Sequence, residues 1–596
     1  MVDDLLIGMA GSGGDGIVSA GESLIAAAAS DGYYAILTKS FGSQIRGGES
    51  SCRLRLSTRP VFNPGGTLDV AVALNWPDFL RFGDELPVGG KTVVIYERDS
   101  GVAPDHLPLA AVTPAEVLAV PISELARTTT GTDRAKNIVV LGLLAGWFGI
   151  GPDAIRKGIR KRFGKKGAKL MEATEQAFNA GVAYTAEHPL RQSVTMAAPG
   201  PAAGGKLLTD GNEMCAAAAI FAGCEFFGGY PITPSTEIMQ FLGREIWKYG
   251  GVLLQAEDEI AGIGTAVGAS FAGKKAMTAT SGPGMSLKTE MLGLATIAEL
   301  PLVVVNVQRG GPSTGMPTKS EQADLFQAVF SAHGDVCRPV LAPSSVADTF
   351  GITVEAFNIA EEFQTPVVIL SDQEIGQRKE TIAPIDTAAF HIVDRRQPTE
   401  VELQRYARFR LTDTGISPLS HPGLAGGNYQ GAGIEHGATG APTASGPVHA
   451  EMTEKRFRKL APLTRRRDLF EIAGTPRAPL VLVSWGSTAG VCREALEMAQ
   501  ARGLQVKLLV PHLLHPVAEE VYREFFASAQ AGLVVEQSYQ GQLYRLLRMS
   551  LDVPRGVVSM ARPGAHAFTP AEIVARLNQL AVALQAAPSD AHQPPA

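Results

Sequence analysis

The strongest constraint on this chain is an alternation. Short apolar runs of strand length take turns with longer helical stretches along most of the sequence. That rhythm builds layered α/β domains, in which each helix carries the chain back to the same edge of a sheet. Strand candidates are "LLIGMA", "YYAIL", "CRLRLS", "VAVALN" and "TVVIYE", then "VLLQA", "AMTAT", "PLVVVNVQ" and "PVVILSD", then "PLVLVSW", "QVKLLVP" and "AGLVVEQ". The rhythm breaks twice. Residues 191–205 rise in Pro, Gly and Ala, a linker signature, and 411–450 are rich in Gly and Pro with no apolar period. A structureless stretch of that length is functional or a linker. Three α/β domains are expected, at 1–190, 206–395 and 476–585. Between them lie the linker 191–205 and a long loop or linker at 396–475, and a disordered tail follows at 586–596.

Bulk properties narrow the class. The 596 residues carry a net charge of −6, with no basic stripe or arm, so the electrostatic footprint of a nucleic-acid binder is missing. The longest apolar run, "NIVVLGLLAGWFGIG" at 137–151, is too short to span a bilayer and reads as a buried helix. The opening "MVDDLL" is acidic and lacks the positive start of a secretory leader, so a cytoplasmic location is expected. Cys52, Cys215, Cys224, Cys337 and Cys492 are scattered, with no pair at C-x-x-C spacing, and read as small buried hydrophobes. No metal ligands are assigned in this chain.

The first glycine-rich turn invites two readings, and both fail. Gly11, Gly13 and Gly16 spell G-x-G-x-x-G, but a dinucleotide site also needs an acid closing the second strand. Here that strand, "YYAILTKS", ends in Lys39 and Ser40, and Asp31 precedes it. An anion at the helix N-terminus stays possible, as does a plain packing turn. Gly14-Asp15-Gly16 also matches the start of the Mg²⁺ motif of thiamine-diphosphate enzymes. That motif is completed by an Asn downstream, and none occurs before Asn63.

The middle block carries more chemistry. Pro231 and Pro234 flank Thr233 in "YPITPST" and hold its hydroxyl on a stiff loop, while Ser235 or Thr236 suits a helix N-cap. A strand then runs into Glu257, Asp258 and Glu259, which open a helix of small residues. The dipole alone favours acids there. Ala261, Gly264 and Gly268 place small residues on one face, so that another element can approach and tune an acid at the helix head. Arg309 ends "PLVVVNVQ", at the edge of an α/β sheet where ligands bind.

Several motifs in order then resemble one family. They are Gly211-Asn212-Glu213, Tyr230-Pro231-Ile232-Thr233-Pro234, Glu259 with its small residues, Ser281-Gly282-Pro283-Gly284, and "RGGPSTGMPT" from Arg309. The family is the 2-oxoacid:ferredoxin oxidoreductases, in the form of a 2-oxoglutarate-type α subunit with the γ domain fused in front. "GSGGDG" with "FGSQIRGGESSCRLRLS" is similar to the γ domain, and "VLVSWGSTAGVCREALEMAQARGLQVKLL" with "VVEQSYQGQL" to the transketolase C-terminal domain. The resemblance implies a γ-type domain, a pyrimidine-binding domain for thiamine diphosphate and a transketolase C-terminal-like domain.

It also implies an activity: coenzyme-A-dependent oxidative decarboxylation of 2-oxoglutarate to succinyl-CoA and CO₂, with reduction of ferredoxin. Glu259 would promote the reactive tautomer of thiamine, with Tyr230, Pro231 and Ile232 beside the cofactor. Thr233 would meet the reacting end of the 2-oxoacid, and Arg309 and Thr318 its carboxylates, with Lys319 a further candidate. Lys39 and Arg46 are candidates for coenzyme A. Mg²⁺, the diphosphate and a [4Fe–4S] cluster would sit in a β subunit, in an (αβ)₂ heterotetramer. A broader 2-oxoacid or pyruvate enzyme, a nicotinamide-dependent dehydrogenase and a non-catalytic binding scaffold are the alternatives. His436, in the Gly-rich loop, is expected at the surface.

Overall fold

Why the apolar runs become strands is visible in their burial. Leu302–Gln308 and Pro366–Asp372 are buried at every position, as strands covered on both faces must be. In the computed structural model, the described residues are 1–42, 48–103, 106–109, 112–163, 167–200, 205–316, 318–564 and 566–586. They divide into two units, Met1–Asp210 with Arg378–Ile385, and Gly211–Gln377 with the chain from Asp386 onward.

The first unit is built on an eight-stranded sheet. In spatial order its strands are Glu116–Val120, Val93–Glu97, Val70–Ala73, Asp4–Ser12, Glu49–Ser57, Tyr34–Phe41, Lys379–Ile382 and Leu207–Thr209. Glu49–Ser57 lies antiparallel between the first two strands of the chain. The second strand is therefore not the parallel neighbour of the first, and a dinucleotide-type β-α-β step is excluded on topology as well. The 137–151 run forms the buried helix Lys136–Phe148, as its uniform apolarity predicts.

The second unit holds two sheets. The larger runs Leu513–His515, Val340–Leu341, Pro366–Asp372, Leu302–Gln308, Ala276–Thr280, Phe226–Gly229, Val252–Gln255. The smaller runs Phe470–Gly474, Val506–Pro511, Leu480–Ser484, Ala531–Glu536, Val557–Ala561. Among the described residues no helix is long and apolar enough to cross a membrane.

Two boundaries differ from the sequence reading. Lys379–Ile382, inside the expected 206–395 domain, returns to pair with Tyr34–Phe41 in the first sheet, and Leu207–Thr209 pairs beyond it. Thr381 Oγ1 accepts from the Ala35 amide at 2.7 Å and donates to the Tyr33 carbonyl at 3.0 Å, fixing that register. The 396–475 stretch is not a free linker. It contains helix Gly446–Arg458, and its Lys455 and Lys459 reach Glu299 at 2.6 and 3.0 Å with all three residues buried. Burial alone would raise the Glu299 carboxyl, but Lys459, Lys455 and Arg408 hold it well below the usual carboxylate range. Polar chain can be buried here because its charges are paired. All but the first residue of the 586–596 tail lies outside the described residues.

Candidate active site

Five mutually parallel strands of the seven-stranded sheet bring their C-terminal ends to one edge. Just beyond those ends come Gln373, Arg309, Ser281, the Tyr230–Pro234 loop and Glu257–Glu259. Ligands in open parallel sheets bind at this edge.

Asp258, not Glu259, caps the helix Glu259–Phe271, its carboxylate accepting the Ala261 amide at 2.8 Å. Glu259 is thereby released from capping. It is 8% exposed while Glu257, Asp258 and Ile260 on either side are exposed. Among the described residues no group donates a hydrogen bond to its carboxylate. Lys288, fully buried, donates to the Glu259 carbonyl at 2.9 Å and to Thr278 Oγ1 at 3.3 Å. Burial pulls the Lys288 ammonium down to about 8, against the attraction of Glu259 and Asp258. A methyl on Gly284 would lie 2.7 Å from Glu259 Cγ, so the Ser281-Gly282-Pro283-Gly284 turn shapes the carboxyl's seat.

The close approach of this helix comes from a different stripe than expected. Gly262 meets Gly229, where a methyl would sit 3.0 Å from the Gly229 Cα. Ala261 and Gly268 are exposed and Gly264 is half-buried, because Glu259, Gly262, Ile263, Ala266 and Ser270 form the inward face.

The Thr233 loop is held from behind. Asn212 Nδ2 donates to the Pro234 carbonyl at 2.8 Å and to Glu237 at 3.3 Å, and Gln377 binds the other Glu237 oxygen at 2.8 Å. The Thr233–Pro234 peptide is cis. Ser235 stands at the N-cap but turns its hydroxyl back to the Ile232 carbonyl at 3.0 Å. Tyr230 and Thr233 are exposed, with Pro231 and Ile232 half-buried.

Arg309 is 7% exposed and donates through Nη1 to the Thr233 carbonyl at 2.5 Å. That bond joins two expected site residues. Its Nε is buried with no partner among the described residues. Burial lowers the guanidinium's pKa, with Asp324 opposing. The Gly310 amide donates to the Lys319 carbonyl at 2.9 Å, which folds Thr318 and Lys319 back beside the strand end. Asp324 is a site acid that the sequence reading missed. Burial drives its carboxyl up to about 6, Asn306 at 2.9 Å and Arg309 lower it, and Glu321 raises it.

Lys39 pairs with Glu22 at 3.3 Å in the first unit. Arg46 lies outside the described residues. His436 is not at the surface: it is 1% exposed, its ring centroid lies 3.9 Å from that of Phe409 with the planes tilted by 45°, and burial lowers its pKa.

Residues 217–455 match the family model described as pyruvate flavodoxin/ferredoxin oxidoreductase, thiamine diphosphate-binding. Residues 7–184 match the one described as pyruvate ferredoxin/flavodoxin oxidoreductase. The 2-oxoglutarate synthase subunit KorA of Methanothermobacter marburgensis is 36% identical over 371 residues, 62% of this chain and 97% of that protein. The 2-oxoglutarate oxidoreductase subunit KorA of Mycobacterium tuberculosis is 32% identical over 583 residues, 92% of this chain and 87% of its own length. The chain belongs to the 2-oxoacid:ferredoxin oxidoreductases. A solved structure in this family, the 2-oxoglutarate:ferredoxin oxidoreductase of Magnetococcus marinus with 2-oxoglutarate, coenzyme A and succinyl-CoA bound, superposes with a TM-score of 0.92 at 37% identity. The match covers 97% of this oxidoreductase chain and 100% of that one.

The residues of this oxidoreductase chain fit the aminopyrimidine end of thiamine diphosphate. Glu259 is a buried carboxylate with no donor among the described residues, which suits a ring nitrogen, and Gly284 leaves room beside it. The half-satisfied guanidinium of Arg309 is equally suited to a carboxylate, for which its planar fork is shaped.

Proposed function

We propose that this chain is the α subunit of a 2-oxoglutarate:ferredoxin oxidoreductase. The reaction takes 2-oxoglutarate, coenzyme A and two equivalents of oxidised ferredoxin to succinyl-CoA, CO₂, a proton and two equivalents of reduced ferredoxin, and it is reversible. The observation that carries this reading is the pairing on one sheet edge of buried Glu259 with Arg309, which is tied to Thr233; among the described residues the Glu259 carboxylate has no donor and Arg309 Nε no partner. Bound thiamine diphosphate supplies a carbanion-forming carbon next to a positively charged ring.

In this reading Glu259 holds a proton at the pyrimidine nitrogen in a seat already formed before binding. Tyr230, Pro231 and Ile232 flank the ring. Arg309 and Thr318 bind substrate carboxylates, with Lys319 near them, and Thr233 meets the reacting carbonyl end. Lys39 and Arg46 are the candidates toward coenzyme A. Mg²⁺, the diphosphate and a [4Fe–4S] cluster belong to a β subunit in an (αβ)₂ heterotetramer. Support for a partner on this side is apolar exposure next to site residues in the chain: Ile260, which follows Glu259, is 48% exposed, and Leu287, which precedes Lys288, is 49% exposed. Free cysteines throughout accord with the reducing cytoplasm.

The test is Arg309→Ala, with Arg309→Lys beside it, in the assembled α–β complex. Either raises the KM for 2-oxoglutarate at least about tenfold, since Lys cannot copy the fork. Thr233→Ala acts on kcat instead. An unaltered kcat/KM in Arg309→Ala would remove the substrate assignment.

A further inference from the structure

The polar run "TKSEQADLF" that follows the Arg309 loop reads as a solvated surface, yet Gln322 in it is fully buried. Both polar atoms of its amide are engaged. Nε2 donates to the Trp485 carbonyl at 2.7 Å, while Oε1 accepts from Thr488 at 2.7 Å and from the Gln537 amide at 2.8 Å. Its own backbone amide donates to the Gln537 carbonyl at 2.7 Å. All of these partners lie in the domain of the five-stranded sheet, at the C-terminal ends of Leu480–Ser484 and Ala531–Glu536.

A second glutamine repeats the arrangement from the other side. Gln542, opening helix Gln542–Ser550, accepts from the Phe326 amide at 2.8 Å and donates to the Ala323 carbonyl at 2.7 Å. Gly486 lies directly against the Gln322 amide, in a left-handed conformation (φ 58°) that leaves no room for a side chain. The fixed segment passes straight back to the site. Glu321 accepts from the Gly311 amide at 3.3 Å, and the Lys319 carbonyl accepts from Gly310, next to Arg309.

We propose that the C-terminal domain acts on substrate selection through Gln322 and Gln542, positioning residues that hold the Arg309–Asp324 loop in the register needed to seat a dicarboxylate. Buried amides hydrogen-bonded through both polar atoms specify one arrangement, and removing one leaves its partners unpaired. The distal carboxylate of a 2-oxoacid is the group that senses this loop, so loosening it weakens binding more than chemistry. The inference rests on the 2-oxoglutarate reading above.

The experiment uses the full chain assembled with its partner. Gln322→Ala and Gln542→Ala are compared with Leu508→Ala, a core variant of the same five-stranded sheet that touches none of these bonds, with Tm recorded for all three. The glutamine variants should each raise the KM for 2-oxoglutarate about tenfold with kcat within about threefold, the loss expected for stranding buried hydrogen-bond partners. Leu508→Ala, even with an equal or larger drop in Tm, should leave KM within about twofold. Amide hydrogen exchange over 310–324 should accelerate in the glutamine variants and not in Leu508→Ala. Equal KM values in all three variants, or unchanged exchange over 310–324, would overturn the proposal. The exchange readout needs no substrate, so it decides the clamp even if the wild-type complex fails to oxidise 2-oxoglutarate, a result that would instead sink the functional reading.

Discussion

Two glycine-rich strand-to-helix turns of this chain are finished in opposite ways. In the first unit, Asp15 of the Gly11–Gly16 turn accepts the Ser12 amide at 2.9 Å and pairs with Lys136 at 2.6 Å. The Ser12 hydroxyl in turn donates to Asp78 at 2.5 Å. Charge and donors are balanced inside the fold, which is what a structural turn requires. In the second unit the Ser281–Gly284 turn leans on Glu259, whose carboxylate has no donor among the described residues, and on Asp324, whose carboxyl burial pushes up to about 6. The richer sequence motif is the closed one, and the plainer one is left open. An unbalanced buried acid costs stability and is retained where a ligand completes it.

That contrast can be broken by substitution. The largest effect is expected for Glu259→Gln, which keeps the fold and cofactor binding but raises the barrier to turnover by roughly 3–4 kcal/mol in the assembled complex. Turnover within a few-fold of wild type would place the acid elsewhere, with Glu257 the first alternative. Next comes Gly284→Ala, whose methyl crowds Glu259 Cγ and Thr280 Oγ1. It should lower kcat by about 1–2 kcal/mol in barrier, a displacement cost rather than a lost group. If its kcat is normal, the turn does not shape the carboxyl's seat.

Asp324→Asn separates the two turns through pH. The folded-state pKa is raised, so the carboxyl's favourable contribution is present below about 3.8 and lost as pH rises through about 6. The variant should therefore gain about 1–3 kcal/mol over wild type at pH 8 and nothing at pH 4, read by denaturant titration at both. An equal difference at the two pH values contradicts the open-acid description. The smallest effect belongs to the closed turn. Lys136→Met strands Asp15 and should cost about 1 kcal/mol of stability in thermal unfolding, without the collapse of turnover seen for Glu259→Gln. A loss of turnover as large as that of Glu259→Gln would erase the distinction between the two turns.

Much of the fold was legible because central strands announce themselves. Runs such as "PLVVVNVQ" and "PVVILSD" are apolar throughout, and only a doubly covered strand accommodates them. Missed strands lack that signal. Phe226–Gly229 ends in two glycines, Val340–Leu341 is two residues long, and Lys379–Ile382 pairs with a strand more than 300 residues earlier. Such pairings depend on tertiary context rather than local preference. In the candidate site, Glu259, Thr233 and Arg309 stand out through their motifs. Asn212 has no role in the Gly211-Asn212-Glu213 motif as sequence, and its grip on the Pro234 carbonyl supplies one. Asp324 and Gln322 gave no signal, because a polar run becomes interior only when a distant domain packs over it.

If Glu259, which has no donor among the described residues, works on a bound pyrimidine, the C2 proton of the cofactor reports it. The most direct measurement is hydrogen–deuterium exchange at C2 of thiamine diphosphate bound to the assembled complex, in wild type, Glu259→Gln and Asp15→Asn. Exchange should slow at least about a hundredfold in Glu259→Gln with the cofactor still bound, and stay unchanged in Asp15→Asn. Near-wild-type exchange in Glu259→Gln would contradict that role.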